Sequence, residues 1–245
     1  MVEPIIELQE VSFSAQQQEI IRGISHRFWE GKTTALVGPS GGGKSTVLKL
    51  AAGLLIPSAG TVRFRGQDIA AMNRGETLEF RRQSAVVFQD SALWANQNLY
   101  QNLELPLRIH FPELSRADRE ERMHQVLSEV GYKKDLIIRP AQLSMGEQKL
   151  IAFARAMLCR PRVLFLDEWT ESLDGNAAQR LIDRVQYQKE QGRTIIFVSH
   201  DLKIIKILAD DIILILGGQI SLTLTGAEIA TDDYLARHIE KGIAS

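Results

Sequence analysis

Cysteine is almost absent from this sequence. Its 245 residues include a single cysteine, Cys159, which leaves no partner for an intramolecular disulfide. A disulfide-stabilised secreted domain is therefore excluded, and the composition is typical of a protein that works in a reducing compartment. Cys159 follows Leu158 in a helical pattern, so we predict that it lies inside a helix as a small core residue.

Long hydrophobic runs and charge of one sign are lacking as well. The longest apolar run covers residues 212–216, which is far too short to cross a bilayer, and no signal-peptide pattern precedes Pro4. The formal net charge is −1, so a general attraction to nucleic acid or to anionic membranes is not expected. We therefore expect no nucleic-acid partner, and any membrane role would depend on another protein.

Internal repeats and low-complexity linkers are not found either, whereas an apolar content of 44% suffices for a sizeable core. Strand-like runs alternate with helical patterns, except that residues 91–160 lack strand signals. In that stretch Ser115 and Asp118 form a capping-box pattern, and Gly131 marks the end of the helix. This order predicts one α/β unit with an inserted helical lobe.

What the sequence does contain is a glycine-rich stretch that fits G-x-x-x-x-G-K-[ST], between an apolar run and a helical pattern. Its residues are Gly38, Pro39, Ser40, Gly41, Gly42, Gly43, Lys44, Ser45 and Thr46. Glycines let several backbone N–H groups point at one anion, and the following helix adds its positive end. We predict that Lys44 reaches the β- and γ-phosphates of a nucleotide and that Ser45 binds Mg²⁺. The alternative is an ordinary glycine-rich turn.

Two carboxylates end a second apolar run, at residues 163–168. The run is typical of a buried strand, and ligands of open α/β sheets bind at the carboxyl edge. Asp167 is predicted to hold Mg²⁺ through water, and Glu168 to orient or deprotonate an attacking water. The alternative is a strand end followed by two solvated acids.

A third motif, residues 143–148 with the sequence LSMGEQ, precedes a helical pattern and lies about 20 residues before the acidic run. It is similar to the LSGGQ signature of ATP-binding cassette (ABC) ATPases. Further positions agree in order: Gln89 after a strand, as in the Q-loop; Glu171-Ser172-Leu173-Asp174, as in the D-loop; and His200 after a strand, as in the switch histidine. The chain thus resembles an ABC ATPase over roughly residues 5 to 225.

The resemblance implies a fold and a division of the chain. The fold is an α/β P-loop NTPase with a mainly parallel core sheet, an antiparallel β layer and an inserted helical lobe. One ABC ATPase domain would cover residues 1–245, with its core and β layer in 1–90 and 161–225. The lobe would cover 91–160. Residues 226–245 would form a tail. Its spacing of Tyr234, Leu235, His238 and Ile239 suggests a short amphipathic helix, which would pack on its own domain or on another subunit.

The resemblance also implies cofactors, partners and residue roles. ATP and Mg²⁺ would bind between two copies arranged head to tail, and a transmembrane permease would hold the chain at the cytoplasmic face of the inner membrane. Glu168 would be the catalytic base, His200 the γ-phosphate sensor and Gln89 a Mg²⁺ ligand beside Ser45 and Asp167. The remaining roles fall to Ser144, Met145, Gly146 and Glu147, which would contact the partner's ATP, and to Asp174, which would cross the interface.

Four positions depart from the family's pattern. Met145 replaces a signature glycine and Glu147 a glutamine. Ala15 stands where many relatives carry an aromatic that stacks on adenine; nearby Phe13 could point into the core instead, so base selectivity is expected to be weak. Trp169 replaces the usual proline after the acidic pair, and we expect it to pack beneath the D-loop.

The cargo is a separate question. Residues 88–108 and 234–244 are similar to ATPases that serve MCE-type lipid transporters, which suggests phospholipid as the cargo. Importers or exporters of other solutes remain the main alternative. A soluble ABC ATPase and a regulatory subunit without turnover are less favoured, because no long insertion is visible and Lys44, Asp167 and His200 are all present.

A partner surface is predicted just after Gln89. Leu93, Trp94 and Tyr100 are apolar residues close to a loop, and large aromatics are common anchors of protein interfaces. We predict that a permease helix docks there. The alternative is that Trp94 belongs to the core of the lobe.

Overall fold

Two sheets form the frame of the protein in the computed structural model, which describes residues 4–226 and 228. The four-stranded sheet is antiparallel, in the order β2-β1-β4-β5. The six-stranded sheet has the order β10-β9-β3-β8-β7-β6. The strands are β1 (Pro4–Ala15), β2 (Gln18–Trp29), β3 (Thr33–Val37), β4 (Ala59–Phe64), β5 (Gln67–Asp68), β6 (Ser84–Val87), β7 (Val163–Asp167), β8 (Thr194–Val198), β9 (Asp211–Leu216) and β10 (Gln219–Thr225).

The six-stranded sheet is parallel from β9 to β6, and only β10 at its edge runs antiparallel. Every residue of β3, β7 and β8 is buried, as expected for parallel strands that are covered on both faces. The carboxyl ends of β3, β6, β7 and β8 therefore lie along one edge of the sheet. The expected mainly parallel core sheet and antiparallel layer are confirmed.

The described residues include the α-helices α1 (Lys44–Ala51), α2 (Arg74–Gln83), α3 (Leu99–His110), α4 (Arg116–Val130), α5 (Met145–Met157), α6 (Gly175–Glu190) and α7 (Leu202–Leu208), and the short 3₁₀ helices Ile69–Ala71 and Pro140–Gln142. The predicted capping box of α4 is present: Ser115 Oγ accepts from the Asp118 N–H, and Gly131 closes the helix with φ 73°. None of these helices is long and apolar enough to cross a membrane.

Residues 91–160, all of them described, hold α3, α4 and α5 and no strand. The sequence did not predict α2 or α3. Helix α3 contains Pro106, and its start is fixed by a capping box between Asn98 and Gln101. That box pairs the side chain of each residue with the backbone of the other and fixes the start of the helix.

Cys159 differs from its prediction. Helix α5 ends at Met157, so Cys159 lies in the turn beyond it and is only half-buried. Its Sγ lies 3.9 Å from the Pro106 carbonyl oxygen. The predicted amphipathic segment around Tyr234 lies outside the described residues.

The two tryptophans near the predicted functional motifs have opposite environments. Trp169 is fully buried and meets Phe197 edge to face, with ring centroids 5.4 Å apart. Trp94 keeps 49% of its surface exposed, so its assignment to the lobe core is wrong. Leu93 and Tyr100 are half-buried and pack against the core.

This contrast gives a stability prediction. Trp169→Ala should lower the free energy of unfolding by about 3–5 kcal/mol, because it leaves a large cavity in the core. Trp94→Ala should change it by less than about 0.5 kcal/mol, as is usual for an exposed side chain. Urea unfolding followed by circular dichroism measures both values. Equal losses in the two variants would contradict this description of the core.

Candidate nucleotide-binding site

The glycine-rich loop connects the end of β3 to the start of α1. Two of its glycines are required by the backbone. A Cβ on Gly38 (φ 144°) would lie 2.2 Å from the Ile215 carbonyl oxygen, and one on Gly43 (φ 102°) would lie 2.7 Å from Ile21 Cδ1. Gly43 precedes α1 and provides no side-chain cap. The first N–H groups of the helix are thus available to an anionic ligand.

Lys44 folds back on this loop. Its Nζ donates to the carbonyl oxygens of Gly38 at 2.9 Å and Pro39 at 2.8 Å. Burial lowers the pKa of Lys44, while the nearby carboxylates of Glu168 and Asp167 raise it. Among the described residues, this buried ammonium donates hydrogen bonds only to neutral carbonyls. It is therefore well placed to exchange them for phosphate oxygens, which carry charge.

Ser45 and Asp167 meet across α1 and β7. The Ser45 hydroxyl donates to Asp167 Oδ1 at 2.8 Å. Burial raises the pKa of Asp167, partly offset by this hydrogen bond. A hydroxyl and a buried carboxylate oxygen are hard ligands, and Mg²⁺ takes one or two such protein oxygens together with substrate phosphates. The residues therefore fit Mg²⁺.

Gln89 lies on the opposite wall of the same space. Its Nε2 donates to Glu171 Oε2 at 2.9 Å. A cavity of about 700 Å³ is lined by Gln89, Ser45 and Asp167, among others. The structure thus brings the three predicted metal ligands to one cavity, although the Gln89 side chain is hydrogen-bonded to Glu171 of the D-loop.

Glu168 and His200 form a second pair at the sheet edge. His200 Nε2 lies 3.1 Å from Glu168 Oε1. Burial, and then the charge of Asp167, raise the pKa of Glu168 to about 7. Glu168 also has φ 45°, a conformation that costs energy for a residue with a side chain and often occurs at functional sites. A carboxylate with a pKa near neutrality suits a general base.

Lys149 is a site residue that the sequence analysis missed. It lies on α5, is almost fully buried, and its Nζ donates to the Glu168 backbone carbonyl at 2.5 Å. Its position one turn into the helix after the signature motif gave no signal of this contact. Lys149 holds the backbone of Glu168 and adds a cation behind the acidic pair.

The signature residues open α5. Ser144 Oγ accepts from the Glu147 N–H at 3.2 Å, and Glu147 accepts from the Ser144 N–H at 3.0 Å. Glu147 also pairs with Lys134 at 2.6 Å. The glutamate that departs from the family pattern thus completes a capping box. Met145 is 67% exposed and Gly146 packs near Ser172.

The D-loop residue Asp174 is the N-cap of α6 in the single chain. Its Oδ1 accepts from the Ala177 N–H at 2.8 Å and caps α6.

A further cavity of about 530 Å³ lies beside the glycine-rich loop. Its outer wall comes from Gln18, Ile20 and Arg22 of β2, and Ala15 is not among its lining residues. Phe13 packs against the core, as the alternative for that residue expected. A base in this cavity would therefore meet β2 side chains rather than an aromatic at position 15.

The glycine turn between β9 and β10 also belongs to this cavity. Gly217 and Gly218 line it. The Gly218 N–H donates to the Gly42 carbonyl at 3.2 Å, and the Gly218 carbonyl accepts from the Arg22 N–H at 2.9 Å. The contact of this turn with the glycine-rich loop could not be predicted, because the two are far apart in sequence.

Comparisons with known proteins place this site in a family. The family model described as "ABC transporter" matches residues 21–171, and the chain belongs to that family. It is 35% identical to the macrolide export ATP-binding/permease protein MacB of Marinobacter nauticus, over 98% of this chain and 38% of that protein. It is 34% identical to the nickel import ATP-binding protein NikE of Shigella flexneri, over 85% of this chain and 79% of that protein.

The chain spans about two fifths of the length of the first curated relatives it matches, MacB and the Escherichia coli protein YejF. Among solved structures it is similar to the dimeric ATP-binding cassette MJ0796 in a post-hydrolysis state with ADP and Pi. That match has a TM-score of 0.83 and 25% identity, and it covers 90% of this chain and 98% of the other. The chain thus has the fold of an ABC ATPase cassette.

Lys44→Ala tests the loop. Each charged hydrogen bond that it removes contributes about 1.5–3 kcal/mol, so the Kd for Mg-ATP should rise at least tenfold. Isothermal calorimetry gives the Kd, and Lys206→Ala, which removes an exposed lysine from α7, serves as the control. Unchanged affinity in Lys44→Ala would overturn the assignment of the loop.

Glu168→Gln tests the base. The amide has nearly the same shape but cannot accept the proton, so turnover should fall by roughly 10²–10⁴ while Mg-ATP binding persists. Because the pKa of Glu168 is raised to about 7, kcat/KM of the unmodified chain should rise with pH below 7 and level off above it. Steady-state kinetics between pH 5.5 and 8.5 measure this profile. A flat profile, or unchanged turnover in Glu168→Gln, would place the base elsewhere.

Proposed function

We propose that this chain is the ATP-hydrolysing subunit of a membrane ABC transporter, held at the cytoplasmic face of the inner membrane by a permease. The observation that carries the proposal is the meeting of four strand ends at one sheet edge. The glycine-rich loop follows β3, Gln89 follows β6, Asp167 ends β7 with Glu168 directly after it, and His200 follows β8. Each motif supplies a different requirement of phosphoryl transfer.

Within the site, we assign the phosphates to residues 38–46 and Mg²⁺ to Ser45, Gln89 and Asp167. When bound, Mg²⁺ supplies positive charge to the β- and γ-phosphate oxygens. Glu168 accepts the proton of the attacking water. His200, 3.1 Å from Glu168, keeps that carboxylate oriented and senses the γ-phosphate.

The division of the chain follows the same proposal. Residues 1–90 and 161–225 form the nucleotide-binding core with its β layer, and 91–160 form the lobe that moves against it. Residues 226–245 form the tail of this single domain.

A second copy, arranged head to tail, completes the site. Ser144 and Met145 are exposed at the start of α5, where the helix end attracts anions. We propose that Ser144, Met145, Gly146 and Glu147 contact ATP held by the loop of the other copy, and that Asp174 crosses the interface. ATP then joins the two copies by charge, and hydrolysis releases them.

The cargo is proposed to be phospholipid, on the similarity of residues 88–108 to the ATPases of lipid transporters. Another solute is the second candidate, since the relatives include proteins named for nickel and methionine import and for macrolide export. The test is to isolate the tagged chain from a membrane extract and identify bound subunits and lipid. A permease with co-purifying phospholipid supports the proposal. A permease without lipid favours the second candidate, and absence of any membrane subunit contradicts a transport role.

Trp94→Ala tests the docking surface. Trp94 follows Gln89 by five residues and is half exposed, so its loss should reduce recovery of the membrane subunit severalfold while leaving nucleotide binding unchanged. Tyr187→Ala is the matched control, because Tyr187 on α6 is also an aromatic residue with 49% of its surface exposed. Recovery from membranes is quantified by immunoblot. Equal recovery for both variants would place the docking surface elsewhere.

A further inference from the structure

Arginines gather at the sheet edge opposite the nucleotide site. Arg82 lies two residues before β6, Arg162 immediately precedes β7, and Arg193 immediately precedes β8. Arg160 lies in the turn before β7 and Arg65 in the turn after β4, and both line the same cavity as Arg82 and Arg162. A cavity of about 280 Å³ is lined by Arg65, Arg82, Arg160, Arg162, Glu79 and Cys159. None of these residues takes part in the chemistry proposed at the other edge.

Acidic residues compensate this cluster only in part. Glu79 accepts from Arg82 through both oxygens, at 2.7 and 2.6 Å. Glu30 pairs with Arg65 at 2.7 Å and lies 3.8 Å from Arg162. The charge of Glu113 also acts on Arg82. Among the described residues, three carboxylates thus lie near the four guanidinium groups of the cavity, which leaves an excess of positive charge.

Two further arginines, Arg122 and Arg193, lie close to Arg160 and add to that excess. Arg122 stacks over Phe111 at 4.7 Å. Burial lowers the pKa of Arg122 and of Arg193, and in both the charge of Arg160 lowers it further. The Nε atoms of Arg122 and Arg193 are buried without a hydrogen-bond partner among the described residues. Like charges held together in this way repel each other unless an anion joins them.

The backbone fixes the cluster in place. Arg193 donates from Nη1 to the carbonyls of Arg160, at 2.9 Å, and of Pro161, and so clamps the turn before β7. Arg65 and Arg160 both have φ 48°. Residues with side chains rarely adopt this left-handed conformation, which suits glycine or asparagine better. The two turns thus hold the backbones of Arg65 and Arg160 in fixed positions beside the cavity.

We propose that this cavity is a binding site for a small, multiply charged phosphate anion. Guanidinium groups match phosphate oxygens in geometry and charge. The volume, at the low end for ligand pockets, suits a pyrophosphate-sized group. The source is either a free phosphate compound or the phosphate headgroup of a lipid, and the two share this chemistry.

The first test is calorimetry with pyrophosphate at low salt. All proteins carry Lys44→Ala, which weakens phosphate binding by the glycine-rich loop. Arg160→Gln/Arg162→Gln should raise the Kd at least tenfold relative to this parent. Arg74→Gln/Arg108→Gln removes the same charge from exposed positions on α2 and α3 and should change the Kd less than twofold. Absence of binding in the parent, or equal Kd values in both double variants, would overturn the proposal.

Folding is controlled by thermal melts of the same proteins. Without ligand, the Arg160→Gln/Arg162→Gln chain should melt at the temperature of its parent or higher, because repulsion is relieved. Pyrophosphate should raise the melting temperature of the parent and not that of this variant. If the double variant does not fold, Arg65→Gln, an exposed residue on the other side of the cavity, replaces it and should also weaken binding. Unchanged affinity in Arg65→Gln would then count against the site.

Vesicles distinguish the two sources. Phosphatidylcholine vesicles with and without phosphatidic acid are sedimented with the parent and with both double variants. Phosphatidic-acid-dependent binding that is lost only in Arg160→Gln/Arg162→Gln assigns the site to a lipid headgroup. Pyrophosphate binding without vesicle binding assigns it to a free phosphate compound. Vesicle binding that both double variants retain would contradict a phosphate site in this cavity.

Discussion

The hydrogen bond from Ser45 to Asp167, 2.8 Å long, joins the two halves of the candidate site. Ser45 stands in the first turn of α1, and Asp167 ends β7, which is separated from β3 by β8. The bond forms because parallel strands bring their carboxyl ends to one edge, and because the loop after β3 returns α1 across that edge. The positions of Lys44, Glu168 and His200 all follow from this alignment.

Burial gives this edge its chemical character. Lys44, Asp167 and Lys149 are each more than 90% buried, and isolated charges are costly in such surroundings. Here the two lysines flank the two acids, and each lysine donates to backbone carbonyls, so the charges compensate one another only in part. A ligand with negative phosphates and a divalent cation supplies the opposite charges that the buried lysines and acids lack. The raised pKa of Glu168 and the lowered pKa of Lys44 have the same cause, because burial disfavours the charged form of both groups.

Local sequence signals predicted much of this frame. The glycine-rich loop, the buried runs at β7 and β8, and the capping box of Ser115 depend on contacts within a few residues, and the structure contains each of them. Helix α3 was missed although Leu99, Leu103 and Leu107 follow helical spacing, because an internal proline, Pro106, argues against a helix. Cys159 was misplaced because a helix end can shift by two residues at little cost.

Long-range contacts could not be predicted in this way. Lys149 contacts Glu168, and Gly218 contacts Gly42, only once the sheet has formed. No spacing in the sequence therefore predicts either contact. The arginines at the opposite edge are likewise scattered over residues 65 to 193. The arginines before β6, β7 and β8 come together because parallel strands also align their amino ends, whereas Arg65 comes from the four-stranded sheet.

The measurement that tests this account most directly is a crystal structure of the chain with Mg²⁺ and a non-hydrolysable ATP analogue. The account predicts that the metal is bound by Ser45 Oγ, with Asp167 beside it directly or through water. It also predicts that Lys44 Nζ leaves the carbonyls of Gly38 and Pro39 for phosphate oxygens. A nucleotide bound elsewhere, or at the loop with Ser45 still hydrogen-bonded to Asp167 and Lys44 still on its carbonyls, would contradict it.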